Sequence, residues 1–262
     1  MKISLPRPSV LFAWHCAVIA FFALTYLGLF ALGLQGHNRL LYLPAMFDIA
    51  GEGNLPNSFS SLGLLACGGV AGLLYASSGN ALERRGWGIL AAGFSFMALD
   101  ENAAIHDWVS ELPISGSGVF TFIWVVPYIF IAATAILILL PFWWNLKRSL
   151  QVRFVVAGVI YLGSAVGMEL WEAELYEASN YNDAIYQTWT MALHMVVEEC
   201  GEMFGVAIFL RTFLTALGPY SLEGPARPSC RAENLTEDRQ GVRVTATGVQ
   251  VSSEGIGNLG GT

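Results

Sequence analysis

Six stretches of this chain are apolar for long enough to cross a bilayer as helices, and that restricts what it can fold into. They run over roughly Val10–Leu34, Phe59–Ala76, Gly86–Ile105, Gly118–Trp143, Phe154–Tyr176 and Thr188–Leu210. A hydrocarbon core about 30 Å thick takes about 20 helical residues, and inside it every backbone N–H and C=O needs a partner within the protein. The runs are continuous and lack strict apolar/polar alternation, which disfavours a transmembrane β-barrel. With 55% of its residues hydrophobic and 13% charged, the chain is too apolar for an ordinary soluble domain. The expectation is an all-α, multi-pass membrane helical bundle. Residues 1–217 form its six-helix transmembrane domain, and residues 218–262, rich in Gly, Ser, Pro, Thr and Arg, form a disordered cytoplasmic tail. Lys2 and Arg7 ahead of the first run also suit a signal peptide, but the run is longer than the ~7–15 residue apolar core of one and reads as an uncleaved helix.

The basic residues orient the bundle. Lys2, Arg7, Arg84, Arg85, Lys147, Arg148, Arg153, Arg211 and the arginines of the tail fall on one side, and Arg39 alone falls on the other. The positive-inside rule then puts both termini in the cytoplasm. The opposite loops carry Asp48, Glu52, Glu111, Glu177 and Asp183, so the net charge of -7 reflects an acidic outer face and buried carboxylates. It gives no reason to expect a nucleic-acid partner; the partner is the lipid bilayer, and the pattern does not specify an oligomeric state. Cys16, Cys67 and Cys200 lie in helices and Cys230 in the tail, with no paired spacing. Neither an internal repeat nor an interrupted helix is legible.

Three of the apolar runs carry groups that a membrane helix normally avoids. One has Asp100, Glu101, His106 and Asp107, another has Glu169, Glu172 and Glu174, and the last has His194, Glu198, Glu199 and Glu202. Each charge at mid-bilayer costs on the order of 2.5–3.5 kcal/mol, so such groups persist mainly where they bind, relay protons or pair. At about 1.5 Å per residue, Asp100 and Glu169 lie in the outer halves of their helices, while His194 and Glu198 lie about 9 and 15 Å below the start of the last one. The three groups overlap in height and can meet in a cavity open to the periplasmic side. At about 100° per residue, His194, Glu198 and Glu202 share an arc of about 80°, with Gly201 and Gly205 beside them to admit a neighbouring helix. Glu169 and Glu172 share a face while Glu174 points elsewhere. Asp100, Glu101, His106 and Asp107 cannot all serve one point unless their helix unwinds near its end.

Imidazole and carboxylates together suit a divalent transition metal such as Zn, Fe or Mn, and a metal with an open position activates water for hydrolysis. On this reading Asp100, His106, Glu169, His194, Glu198 and Glu202 are the metal ligands. Glu101, Glu172 and Glu199 are outer partners or the general base, acting on a lipid-like or small amphipathic substrate. A proton-coupled transporter of a small solute and a structural subunit of a membrane complex are the alternatives. The spacing His-x-x-x-Glu-x-x-x-Glu is neither the HExxH of metalloproteases nor the repeated ExxH of ferritin-like bundles. His15, near the inner end of the first run, reads as an interfacial anchor. His37 and Trp87, Trp108, Trp143, Trp144 and Trp189 read mostly as aromatic-belt residues. The stretch from Phe47 to Ser60 reads as a turn-rich loop around Pro56, with a cover over the cavity mouth from Asp48 and Glu52 as the alternative.

That stretch, Ala98-Leu99-Asp100-Glu101 through His106-Asp107, and Glu198-Glu199 through Gly201-Glu202 together resemble a family of uncharacterised bacterial integral membrane proteins. The resemblance spans the six helices and excludes the tail. It implies a six-helix inner-membrane protein and brings no activity with it. A more distant, chemical analogy is to the membrane hydrolases that include alkaline ceramidases and adiponectin-type receptors, which set His and Asp around zinc. Those proteins carry a pair of histidines on the last helix. Here only His106 and His194 lie at a suitable depth, and no second histidine follows His194.

Overall fold

The computed structural model describes residues 7–33, 42–110 and 116–218, apart from the side chains of Asp107 and Ser110. His37, Arg39, Glu111 and the tail from residue 219 onward lie outside the described residues. The fold is all-helical: α1 (Pro8–Ala31), the short α2 (Leu43–Met46), α3 (Leu55–Ser77), α4 (Ala81–Ala103), α5 (Ile105–Ser110), α6 (Val125–Asn145), α7 (Arg148–Leu162), α8 (Glu169–Ala178) and α9 (Trp189–Leu217). A π-helical segment, Gly163–Met168, joins α7 to α8, and 3-10 turns at Gly118–Phe120 and Asp183–Gln187 precede α6 and α9.

Among the described residues, five segments are long and apolar enough to cross a membrane: Pro8–Ala31, Leu55–Ser77, Val125–Asn145, Arg148–Ala178 and Trp189–Leu217. They match five of the six expected runs. The sixth run is α4, which has the length, at 23 residues. Its apolar stretch reaches only from Gly86 to Leu99, because Arg84 and Arg85 bound it at one end and Asp100 and Glu101 at the other.

Local chemistry sets the helix starts. The Asn54 side chain accepts from the backbone N–H of Asn57 at 3.1 Å and Pro56 sits in the first turn, so α3 begins at Leu55. Pro56 and Asn57 are therefore helical, and the expected loop is shorter than its composition suggests. Asn80 caps α4 and Thr188 caps α9 in the same way.

Two interruptions are absent from the sequence expectation. Ala104 ends α4 in the left-handed region, with φ 47°, and the chain restarts as α5. Gly163–Met168 takes the wider π-helical turn, and such turns occur often at functional sites.

The helix α9 packs against α1, α3 and α7. Its approach to α7 uses Gly205, where a Cβ would stand 3.0 Å from the backbone of Tyr161, while Gly201 faces the Ser164 hydroxyl. In a bilayer, where lipid is as apolar as the helices, such close packing between small residues replaces the hydrophobic effect as the main source of association. At the other end of the bundle Trp87 packs edge-on against Phe142 and Phe213, at 5.1 and 5.5 Å. Trp87 is only 4% exposed, which corrects its expected place in the aromatic belt. Trp108, Trp144 and Trp189 are exposed as expected.

Charge divides along the same axis. Arg84, Arg85, Lys147, Arg148 and Arg211 lie at the end holding Trp87, while the described acidic residues other than Glu83 lie toward the opposite end.

Candidate metal centre

The centre begins with His194, in the second turn of α9 and 3% exposed. Its Nε2 lies 3.0 Å from the carbonyl of Met168, the last residue of the π-helical segment. A carbonyl can only accept, so Nε2 carries the hydrogen and Nδ1 is left with a lone pair. That Nδ1 is buried and has no hydrogen-bond partner. Facing it are two carboxylate oxygens, Glu198 Oε2 at 3.6 Å and Glu172 Oε2 at 3.9 Å. Three acceptor atoms turned toward one another repel unless a metal cation or a shared proton stands between them.

The geometry fits such a cation. One ligand atom from each of Glu172, His194 and Glu198 lies within 4.8 Å of the others, and all three residues are buried. Metal–ligand bonds of about 2.0–2.2 Å place adjacent tetrahedral ligands about 3.4 Å apart, somewhat less than the 3.6 and 3.9 Å from His194 Nδ1 to the two carboxylates. The Nε2–H to Met168 contact is the kind of outer hydrogen bond that fixes the tautomer and orientation of a metal-bound histidine.

The flanking groups hold the carboxylates in place. Tyr186, on the 3-10 turn before α9, donates its hydroxyl to Glu172 Oε1 at 2.8 Å, leaving Oε2 turned toward His194. Burial and the hydrogen bond to Glu172 push the Tyr186 phenol well above its ordinary range. Trp124 donates its indole N–H to Glu169 Oε1 at 3.1 Å, and Glu169 and Glu198 line the same cavity. Trp171 meets the His194 ring edge-on at 5.4 Å.

Of the remaining expected site residues, Asp100, His106 and Glu101 fall into two neighbouring groups. Asp100 Oδ1 accepts from the backbone N–H of His106 and from the Tyr128 hydroxyl, both at 2.9 Å, with His106 Nδ1 3.6 Å away. Asp100 therefore holds the start of α5 against α6, and the unwinding that would let these residues converge takes place at Ala104. Glu101 forms the second group. Asn57 Nδ2 reaches its carbonyl at 2.7 Å, its carboxylate at 3.3 Å and Glu52 Oε2 at 2.9 Å. Glu202 lies one turn beyond Glu198 and outside the Glu172, His194 and Glu198 triad. Glu174 is exposed, as its phase implies, and the Asp107 side chain lies outside the described residues.

A cavity of about 1030 Å³ adjoins the triad. Glu169, Glu172, Glu198 and Glu199 line it from α8 and α9, Asp48 and Glu52 from the loop between α2 and α3, and Tyr26, Phe30, Trp124 and Tyr186 supply aromatic wall. Leu29, Met191 and Met195 add an apolar side, and His106 also reaches it. The loop from Phe47 thus forms part of the cavity wall, and α3 begins inside the stretch expected to be loop.

Residues 10–217 match the family described as domain of unknown function DUF8692. The chain belongs to that family. The match runs from α1 to the end of α9 and so takes in the whole candidate centre of this DUF8692 chain. No curated protein and no solved structure matches it.

Sequence reasoning missed Asn57, Trp124, Tyr128 and Tyr186. The aromatic three carry no signal that separates them from ordinary interfacial residues, whereas Asn57 follows the capping Asn54 by three and is read locally as part of a turn. Glu172 was expected as an outer partner or base, and the geometry brings it into the triad itself.

Proposed function

We propose that this protein is a six-span membrane protein that holds a divalent transition metal at Glu172, His194 and Glu198 and uses it for hydrolysis. The observation that carries the reading is the unpartnered, buried Nδ1 of His194, fixed by its Nε2–H to Met168 and turned toward two carboxylates. Three protein ligands leave at least one coordination position open, the arrangement of catalytic rather than structural zinc sites. The adjoining cavity gives that position access to water and substrate. A divalent metal held by these three residues would supply an activated water, and Glu169, on the same cavity wall, is the candidate proton acceptor. The mixed wall of carboxylates with Leu29, Phe30, Met191 and Met195 suits a lipid-like or small amphipathic substrate.

In the membrane, α4 is the sixth span, its short apolar stretch shielded by α3 and α6. The basic end faces the cytoplasm with both termini, and the cavity opens to the opposite, periplasmic side of an inner membrane.

Elemental analysis of protein purified without chelator tests the metal. About one equivalent of zinc, iron or manganese is expected, lost in His194→Ala and Glu172→Ala. Less than a tenth of an equivalent after supplementation, with thermal stability unchanged by chelator, would refute it. Proton-coupled transport is the second reading, favoured by the Glu169, Glu172, Glu198 and Glu199 carboxyls lining one cavity. It requires proton uptake in metal-free proteoliposomes, which the hydrolase does not.

A further inference from the structure

A second concavity lies at the end of the bundle away from the metal centre. A groove of about 220 Å³ opens between α4 and α6, with Leu82, Ile89, Leu137 and Ile138 on its walls and Arg85 at its rim. Its floor is Gly86 and Phe142. Without a side chain at Gly86 the Phe142 ring packs onto the α4 backbone and turns inward against Trp87, which leaves a shallow channel outside that contact. The helix α6 is long and apolar enough to cross a membrane, and Leu137 and Ile138 are exposed on it, so the channel faces acyl chains rather than water. It is smaller than the roughly 300–1,000 Å³ clefts that enclose a drug-sized molecule, and its walls suit one extended hydrocarbon chain.

The charge at its mouth is the second observation. Arg85 is exposed there and, among the described residues, makes no ion pair or hydrogen bond. Other basic groups at the same end are engaged: Arg84 donates to the Ser78 carbonyl at 3.1 Å, Arg148 donates to Gln151 at 3.2 Å, and the Arg211 guanidinium stands 5.0 Å over the Phe12 ring. Glu83, two positions back along α4, does not face Arg85. The apolar stretch that follows, from Gly86 to Leu99, is about 20 Å long at about 1.5 Å per residue, against about 30 Å of hydrocarbon. Where α4 crosses the membrane as proposed above, this mismatch draws Arg85 to the level at which acyl chains meet headgroups. A guanidinium there pairs best with phosphate, whose oxygens match its fork of donors.

We infer that this groove binds an anionic phospholipid, with one acyl chain along Ile89, Leu137 and Ile138 and the headgroup phosphate on Arg85. The channel alone would take a chain from any lipid. The guanidinium at its mouth selects one whose headgroup carries net negative charge, and basic pockets between transmembrane helices hold such lipids on the cytoplasmic side. The inference rests on the six-span arrangement and not on the metal, so it stands or falls apart from the hydrolase.

Native mass spectrometry of the delipidated full chain in a neutral maltoside detergent, titrated with phosphatidylglycerol and phosphatidylcholine of identical acyl chains, tests it. Phosphatidylglycerol should bind about fivefold more tightly than phosphatidylcholine. Arg85→Gln should abolish that difference while Arg84→Gln keeps it, because the Arg84 guanidinium is already held by Ser78. Leu137→Trp, which fills the channel and leaves Arg85 in place, should weaken both lipids. Excess glycerol 3-phosphate should not displace the lipid, since the chain is part of the ligand. Equal affinity for the two lipids would overturn the inference, and so would a preference that survives Arg85→Gln. Displacement by glycerol 3-phosphate would overturn it by reducing the groove to an anion site, and dimers that form through this face and exclude lipid would give the groove to a second copy of the chain. Reporter fusions read the span count separately, so the two readings fail by different results. The comparison of lipids needs only the unmodified protein and decides even where a variant fails to fold.

Discussion

The two nitrogens of His194 face different surroundings, Nε2 the Met168 carbonyl and Nδ1 the two carboxylates, and each makes a different prediction. Losing the ring in His194→Ala removes a candidate ligand and the hydrogen bond to the Met168 carbonyl, worth about 0.5–1.5 kcal/mol, so both metal content and thermal stability should fall. Tyr186→Phe leaves the triad intact and removes only the hydrogen bond to Glu172. Metal affinity should drop about 10–100-fold with little loss of fold, measured by competition with a chromophoric chelator. An affinity unchanged in Tyr186→Phe would show that Glu172 needs no orientation. The same phenol predicts a pH dependence. Its folded pKa lies above the ordinary value of 10.0, so the stability it contributes is complete below about pH 10 and is lost as pH rises through the folded value. The stability difference between the natural protein and Tyr186→Phe should therefore be constant from about pH 7 to 9 and shrink at higher pH. At this scale the sequence shows part of the centre. Residues one turn apart on a helix share a face, so His194 and Glu198 could be paired on paper. Glu172 could be placed at the right height but not in contact, because the turn that rotates it toward His194 follows a π-helical segment with no distinctive sequence.

Among the elements, the break between α4 and α5 is the most testable. Ala104 adopts φ 47°, a conformation that costs a residue with a Cβ roughly 1–2 kcal/mol. Ala104→Gly should therefore stabilise the protein by about 1 kcal/mol. Asp100→Ala should do the reverse, because it removes the acceptor for both the His106 N–H and the Tyr128 hydroxyl. A loss of about 1–2 kcal/mol is expected, read from unfolding in mixed micelles. If Ala104→Gly destabilises, the left-handed turn is not the native conformation. Neither Gly nor Pro marks this break; the cap is supplied by an aspartate whose length and phase fit equally well in a continuous helix. The same limit applies to α3, whose start was hidden because Asn54 and Pro56 are as common in loops as at the beginnings of helices. By contrast, Gly201 and Gly205 announced a close neighbour correctly, since two glycines four apart leave one side of a helix without side chains.

For the molecule as a whole, the division of charge fixes the expected topology. Reporters fused after Arg148 or Gly218 should read cytoplasm, and those after Glu111 or Asp183 the opposite side, with an odd number of spans as the outcome that removes the arrangement. The long apolar runs made the helical class and five of the spans legible, because length and hydropathy are summed over many residues and survive local irregularity. The run expected over Gly86–Ile105 folds as the helix α4 but falls short of the other five in apolar length, since the polar groups that shorten its apolar stretch belong partly to the site. The depth of the triad also has an electrical side. His194 lies five residues into α9 from Trp189, about 8 Å below the helix start and about a quarter of the way through the hydrocarbon. In the proposed orientation, a divalent ion moving there from the positive face of an energised membrane would cross that share of the potential. At 100 mV this favours occupancy by about 1 kcal/mol. Ion loading would thus be several-fold tighter in a respiring cell than in detergent, and membrane voltage would become a determinant of how much of the protein carries its metal.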